Sequence, residues 1–126
     1  MNKLLLSAAI ALALTGCANP KNTWNSWDSS KKTAYVASTA AIAADWATTL
    51  DMTDRYSEGY RETNPILGKQ PDRGTVNSYF VFKMLANTVA AERLPDPVDQ
   101  WYLWFTTLGS LSVAKNNWDL GLRFGF

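Results

Sequence analysis

The chain has 126 residues, 12 Lys/Arg against 11 Asp/Glu, one cysteine and no histidine. The missing histidine removes Ser-His-Asp and Cys-His catalysis and the commonest zinc ligand, and the lone cysteine removes any internal disulfide. The near-neutral balance is not the basic footprint of a nucleic-acid-binding protein, so nucleic acid is not an expected partner.

In chain order, Met1, Asn2 and Lys3 form a short positive start, and Leu4 to Leu14 is an uncharged apolar run. A bilayer span needs about 20 such residues, so this run suits the core of a signal peptide instead. Leu14, Thr15, Gly16 and Cys17 follow, and LTGC resembles the lipobox of bacterial lipoproteins. The resemblance implies a signal peptide over 1–16, cut between Gly16 and Cys17. It also implies covalent lipid on the Cys17 thiol, which is the only group of cofactor kind expected, and membrane lipid as the first partner. Ala18, where an aspartate would retain the protein at the inner membrane, implies sorting to the periplasmic leaflet of the outer membrane. Loss of Lys3 with the signal leaves the Lys/Arg count equal to the eleven Asp/Glu.

Residues 17–32 (through ANPKNTWNSWDSSKK) are polar and read as a lipidated flexible tether, with Trp24 and Trp27 within reach of lipid headgroups. Residues 33–126 read as one helical membrane-associated domain. The fold class expected is all-α: a small three-helix bundle over about 33–54, 74–94 and 98–116. The first segment is Ala-rich without Gly or Pro. Between the first two helices, SEGYRETNPILGKQPDR holds two prolines and two glycines and must be a structured loop. Val76, Phe80, Met84 and Val89 recur at helical spacing in the second segment, which Pro95 and Pro97 end. Gln100 to Ala114 carries no charge and contains Trp101, Tyr102, Trp104 and Phe105. The tail WDLGLRFGF alternates like a half-buried strand, and its terminal Phe resembles the last strand of outer-membrane barrels. A barrel needs alternation throughout, so a tail folded back on the bundle is the expectation. The helices are marginal as spans, with Asp45 and Lys83 inside the first two. A bundle apposed to the membrane is therefore preferred to an inserted one, which would place the protein in the inner membrane.

One polar constellation is expected. Asp45 and Thr49 are four apart and share a helix face. The loop offers Glu62, Asn64 and Pro65, and Lys83 is the only charge of the second helix before Glu92. A carboxylate on an apolar helix must pair or neutralise. Asp45, Thr49, Glu62, Asn64 and Lys83 are thus expected to gather between the helices as a structural clamp, with no catalytic or metal residue assigned. Asp51, Asp54, Glu58 and Glu62 recur at helical steps, but Gly59, Arg55 and Arg61 interrupt them, so they read as a solvated face. The pattern D-x3-T followed by E-x-N-P-x-L-G is similar to uncharacterised small membrane-associated proteins of bacteria and phages, and that resemblance brings no activity.

The functional expectation is a non-enzymatic cell-envelope lipoprotein acting by contact with an envelope protein partner. It would block a receptor, as superinfection-exclusion lipoproteins do, or serve as an accessory subunit. Two alternatives stand beside it: a phage-type envelope-spanning lysis protein, and a membrane-proximal enzyme using Asp45 or Glu62.

Overall fold

The structure, a computed structural model, describes residues 23–126. Leu14, Thr15, Gly16, Cys17 and Ala18, which carry the lipoprotein reading, lie outside the described residues. Three helices form the bundle: α1 (Ser29–Thr53), α2 (Arg73–Arg93) and α3 (Val98–Asp119). Their limits follow local chemistry. The Asp72 carboxylate caps α2 by accepting from the Thr75 amide at 2.8 Å and the Thr75 hydroxyl at 3.0 Å. These bonds, to the backbone first, hold its carboxyl below the ordinary range. At its far end α2 runs into Pro95 and Pro97, which cannot continue it.

α1 begins earlier than the composition suggested, and part of the expected 17–32 tether is folded. Trp24–Ser26 form a turn of 3-10 helix, and Asp28 caps α1 by accepting from the Lys31 amide at 2.7 Å. Trp27 is only 7% exposed and packs with Ala34, Ala91 and Leu103. Its ring meets Tyr35 edge-on at 5.3 Å. Burial of one large aromatic outweighs the polar residues around it, because those keep their side chains in water while the indole leaves it.

α1 is central, and its most extensive interface is with α3. These two helices run parallel. At one end Lys31 Nζ meets Asp99 Oδ2 at 2.7 Å and Ser30 donates to Gln100 at 2.9 Å. At the other, the Asn117 amide donates to Thr48 Oγ1 at 3.0 Å. α2 runs antiparallel to α1: Trp46 Nε1 donates to Asn77, Asn87 to Ser38, and the Tyr35 and Thr88 hydroxyls pair at 2.8 Å. A second apolar cluster of Ile42, Leu50, Val76 and Phe80 sits toward the loop end, with Trp46 stacked on Phe80 at 5.9 Å.

The tail forms no strand among the described residues. α3 ends in a left-handed turn at Gly121 (φ 95°), where the Leu122 amide reaches back to the Asn117 carbonyl and the Gly121 amide to that of Trp118. This closure needs a residue without Cβ strain and drives Leu122 into the core. Phe124 and Phe126 stay exposed, so the alternation does not sort the tail into two faces. The chain instead lies across α1. Gly125 donates to the Ala47 carbonyl at 2.9 Å, Arg123 N donates to Asp51, and Arg73 donates to the Gly125 carbonyl. A Cβ at Gly125 would stand 2.6 Å from Asp51 Cα and 2.8 Å from the Leu50 carbonyl carbon, both rigid helix backbone. Gly125→Ala is therefore expected to lift the tail off α1 and to lower the unfolding free energy by about 1–3 kcal/mol in chemical denaturation.

Candidate functional site

The polar constellation lies where α1, α2, α3 and the 54–72 loop converge, around a half-open groove of about 390 Å³. Asp45, Thr49, Glu62, Asn64 and Lys83 all line it. Lys83 Nζ donates to Asp45 Oδ2 at 2.9 Å, with the aspartate side chain 6% and the lysine 26% exposed. The ammonium also lies 5.3 Å from the Phe80 ring centre and 5.9 Å from that of Tyr79, so the aromatics of α2 help to hold it. Thr49 sits one turn below Asp45, and its hydroxyl reaches Oδ1 at 3.5 Å, a weak contact.

Glu62 and Asn64 reach the groove but spend their hydrogen bonds on the loop and its support. Glu62 Oε1 accepts from the Thr63 and Asn64 amides. Asn64 Oδ1 accepts from Ile66 N, its backbone carbonyl closes the Pro65 turn, and its amide donates to the Tyr79 hydroxyl at 3.0 Å. The loop is thus built by its own polar side chains and pinned to α2 through Tyr79. α3 adds Ser110, which the sequence reading did not single out. It is buried and lines the groove with Asp45, and its hydroxyl completes no hydrogen bond. One serine in an uncharged helix carries no signal of that position.

Burial raises the Asp45 carboxyl above its ordinary value of 3.8, Lys83 counters part of that rise by charge and hydrogen bond, and the Glu62 charge adds to it. The Asp45–Lys83 pair joins α1 to α2, and the Asn64–Tyr79 hydrogen bond joins the loop to α2.

The acidic run at the end of α1 is tied up by arginines. Arg55 meets Asp51 at 3.3 Å and Glu58 at 2.8 Å, and Arg73 meets Asp54 at 2.7 Å. Among the described residues no group of three or more His, Cys, Asp or Glu is placed to hold a metal ion. A second buried pair, Lys31 with Asp99, was not anticipated. Lys31 belongs to the stretch read as tether, so only the fold shows that it faces α3.

The other feature of note is a surface. Trp101, Trp104, Phe105, Leu108 and Leu111 recur at three- and four-residue steps on α3 and are 43–80% exposed. The face of α3 turned to the bundle carries Leu103, Thr107, Ser110, Ala114 and Asn117. α2 also leaves Val81, Phe82 and Leu85 outside, while it buries Val76 and Phe80 beside Asn87. On α3, Leu103 apart, the inward residues are small or polar. The spacing was readable in sequence. Which side of a helix without charges would face the core was not. No helix among residues 23–126 is long and apolar enough to cross a membrane, so the spans of the inserted alternative are absent from them. Compared with family models, curated proteins and solved structures, the chain matches none.

Two outcomes are expected of the clamp. Lys83→Met strands a buried carboxylate and should cost about 3 kcal/mol, whereas Asp45→Leu leaves a lysine that can turn to water and should cost less. In urea unfolding, the Asp45→Leu, Lys83→Met double variant should lose less than the sum of the two, and strict additivity would sink the clamp. The folded state also holds the Asp45 proton more tightly than the unfolded chain does. Stability relative to Asp45→Asn should therefore rise as pH falls from the raised value toward 3.8, and decline again as pH rises through that window. Unfolding free energies of both proteins at neutral pH and at about pH 4 read this directly.

Proposed function

We propose that the protein is a lipid-anchored cell-envelope protein that acts without catalysis, by holding the outward apolar face of α3 against another envelope component. The observation that carries this reading is the exposure of five large apolar residues on one helix face, with no charge from Gln100 to Ala114. Soluble monomers rarely leave so continuous an apolar surface in water, and such surfaces mark contact with protein or lipid. The polar groups point the same way. Asp45 and Lys83 neutralise one another, and Glu62 and Asn64 build the loop, so the groove is committed to structure. Receptor blocking and accessory-subunit roles are both forms of this reading. An envelope-spanning lysis protein would need a span at its distal end, and α3 is not apolar enough to be one.

The lipid supports the reading from the other end of the chain. Cys17 follows an apolar run of signal-peptide length and closes an LTGC lipobox. Cell fractionation of the wild type and Cys17→Ser tests the anchor. The wild type is expected in the membrane pellet after carbonate extraction, and Cys17→Ser is expected to be released by carbonate. A Cys17→Ser protein that resists carbonate would show that the anchor is not what holds the chain. A wild type that is released would overturn the lipoprotein reading.

A further inference from the structure

The outward face of α3 begins at the end of the bundle where the described chain starts and runs along the helix from there. Residues 18–22 separate Cys17 from Thr23, so a fully extended chain places the Thr23 Cα at most about 22 Å from the Cys17 Cα. From there Trp24 and Trp27 meet Tyr35 of α1 edge-on. The Lys31–Asp99 pair and the Ser30–Gln100 hydrogen bond then hold the start of α3 against the start of α1. A lipid on Cys17 thus keeps the end of the bundle that carries Trp24, Val98 and Trp101 within chain reach of the bilayer surface.

We infer that this face of α3 is seated in the headgroup–acyl boundary of that bilayer, so that the protein lies on the membrane along α3 rather than standing off on a tether. The inference rests on the lipid-anchored contact reading above and names the component contacted. Three observations select lipid as the occupant. The described chain starts at this end of the bundle, so an anchor on Cys17 attaches here. The face bears no charge: Asp99 is buried against Lys31, and the next ionic groups, Lys115 and Asp119, pair with each other in water past the apolar stretch. The aromatic content is of the interfacial type, with Trp101 and Trp104 on this face of α3 and half-exposed Trp24 beneath the Lys32 ammonium at 5.6 Å. From Val98 to Leu111 the seated length is about 20 Å of helix, well short of a span and ample for lying in the interface plane. Small and polar residues on the inner face fit the same setting, because outside lipid need not be excluded from apolar side chains while inside the helices pack through short ones.

Cys17 is the only cysteine, so once lipidated it leaves no free thiol. Phe105→Cys and Leu108→Cys each then offer one site for an environment-sensitive fluorophore, and Lys69→Cys, at the loop end of the bundle, serves as control. The lipidated full-length variants, with the lipid on Cys17 verified by mass, are reconstituted into protein-free phospholipid vesicles. Labels at 105 and 108 are expected to shift to the blue, to gain intensity and to be quenched by lipids brominated near the headgroup, while the label at 69 stays in water. Labels at 105 and 108 that match the control in vesicles but become shielded in native envelope membranes would overturn the lipid inference and leave the contact reading standing, with a protein as the partner. Labels exposed in both settings would overturn both. A chain without lipid on Cys17 would remove the anchor on which both rest.

Discussion

Inside the bundle, the carboxylate of Asp45 accepts from Lys83 at 2.9 Å with almost no access to water. A carboxylate in that position is tolerable only with its counter-charge, so α2 must present Lys83 at one height along α1. Much follows from that register. Asn77, Phe80, Asn87 and Thr88 each fall opposite an α1 partner: Trp46 for the first two, then Ser38 and Tyr35. Tyr79, one turn before Lys83, is then positioned to receive the Asn64 amide and so to hold the loop. The opposite end of α1 repeats the device with Lys31 and Asp99, which sets α3. Two charged pairs, one to each neighbouring helix, fix how α1 is surrounded.

Helices joined in this way need to approach closely, and the residues between them are correspondingly short. α1 buries Ala34, Ser38, Ala41, Ala47 and Thr48, and α3 turns Thr107, Ser110 and Ala114 inward. Only a few large side chains, among them Ile42, Phe80, Leu103 and Leu122, fill what remains. With the interior filled, the large apolar residues of α3 have no place within the bundle. The outward aromatic face is thus a consequence of how the interior is built, and it leaves a surface whose exposure in water is costly.

Several features were legible before any coordinates. Gly59, Pro65, Gly68 and Pro71 mark the loop, and Pro95 and Pro97 separate α2 from α3, because neither residue type continues a helix comfortably. Asp45 and Lys83 stand out because each is a lone charge on an apolar stretch, and a lone buried charge demands its opposite. The start of α1 was obscured because Asn, Ser and Lys around Trp27 resemble a linker. A single indole entering the core, with Asp28 as cap, outweighs that composition. The tail misled in another way: its alternation suggests a strand, yet there is no neighbouring strand to pair with, and Gly121 and Gly125 fold it against α1 instead.

Sequence alone determined the helical class, the breaks between the helices, the lipobox pattern at Cys17 and the need for Asp45 to find a cation. These are properties of backbone preference and of charge, and both act over a few residues or demand a partner wherever one lies. Only the tertiary structure decided that Lys31 meets Asp99, that Ser110 lies buried by the groove and that Trp101, Trp104 and Phe105 look outward. From Gln100 to Ala114 α3 carries no charge to mark its outer side. Which side becomes interior depends on the shape of α1, whose short side chains admit Thr107 and Ser110 and leave the aromatic side facing out.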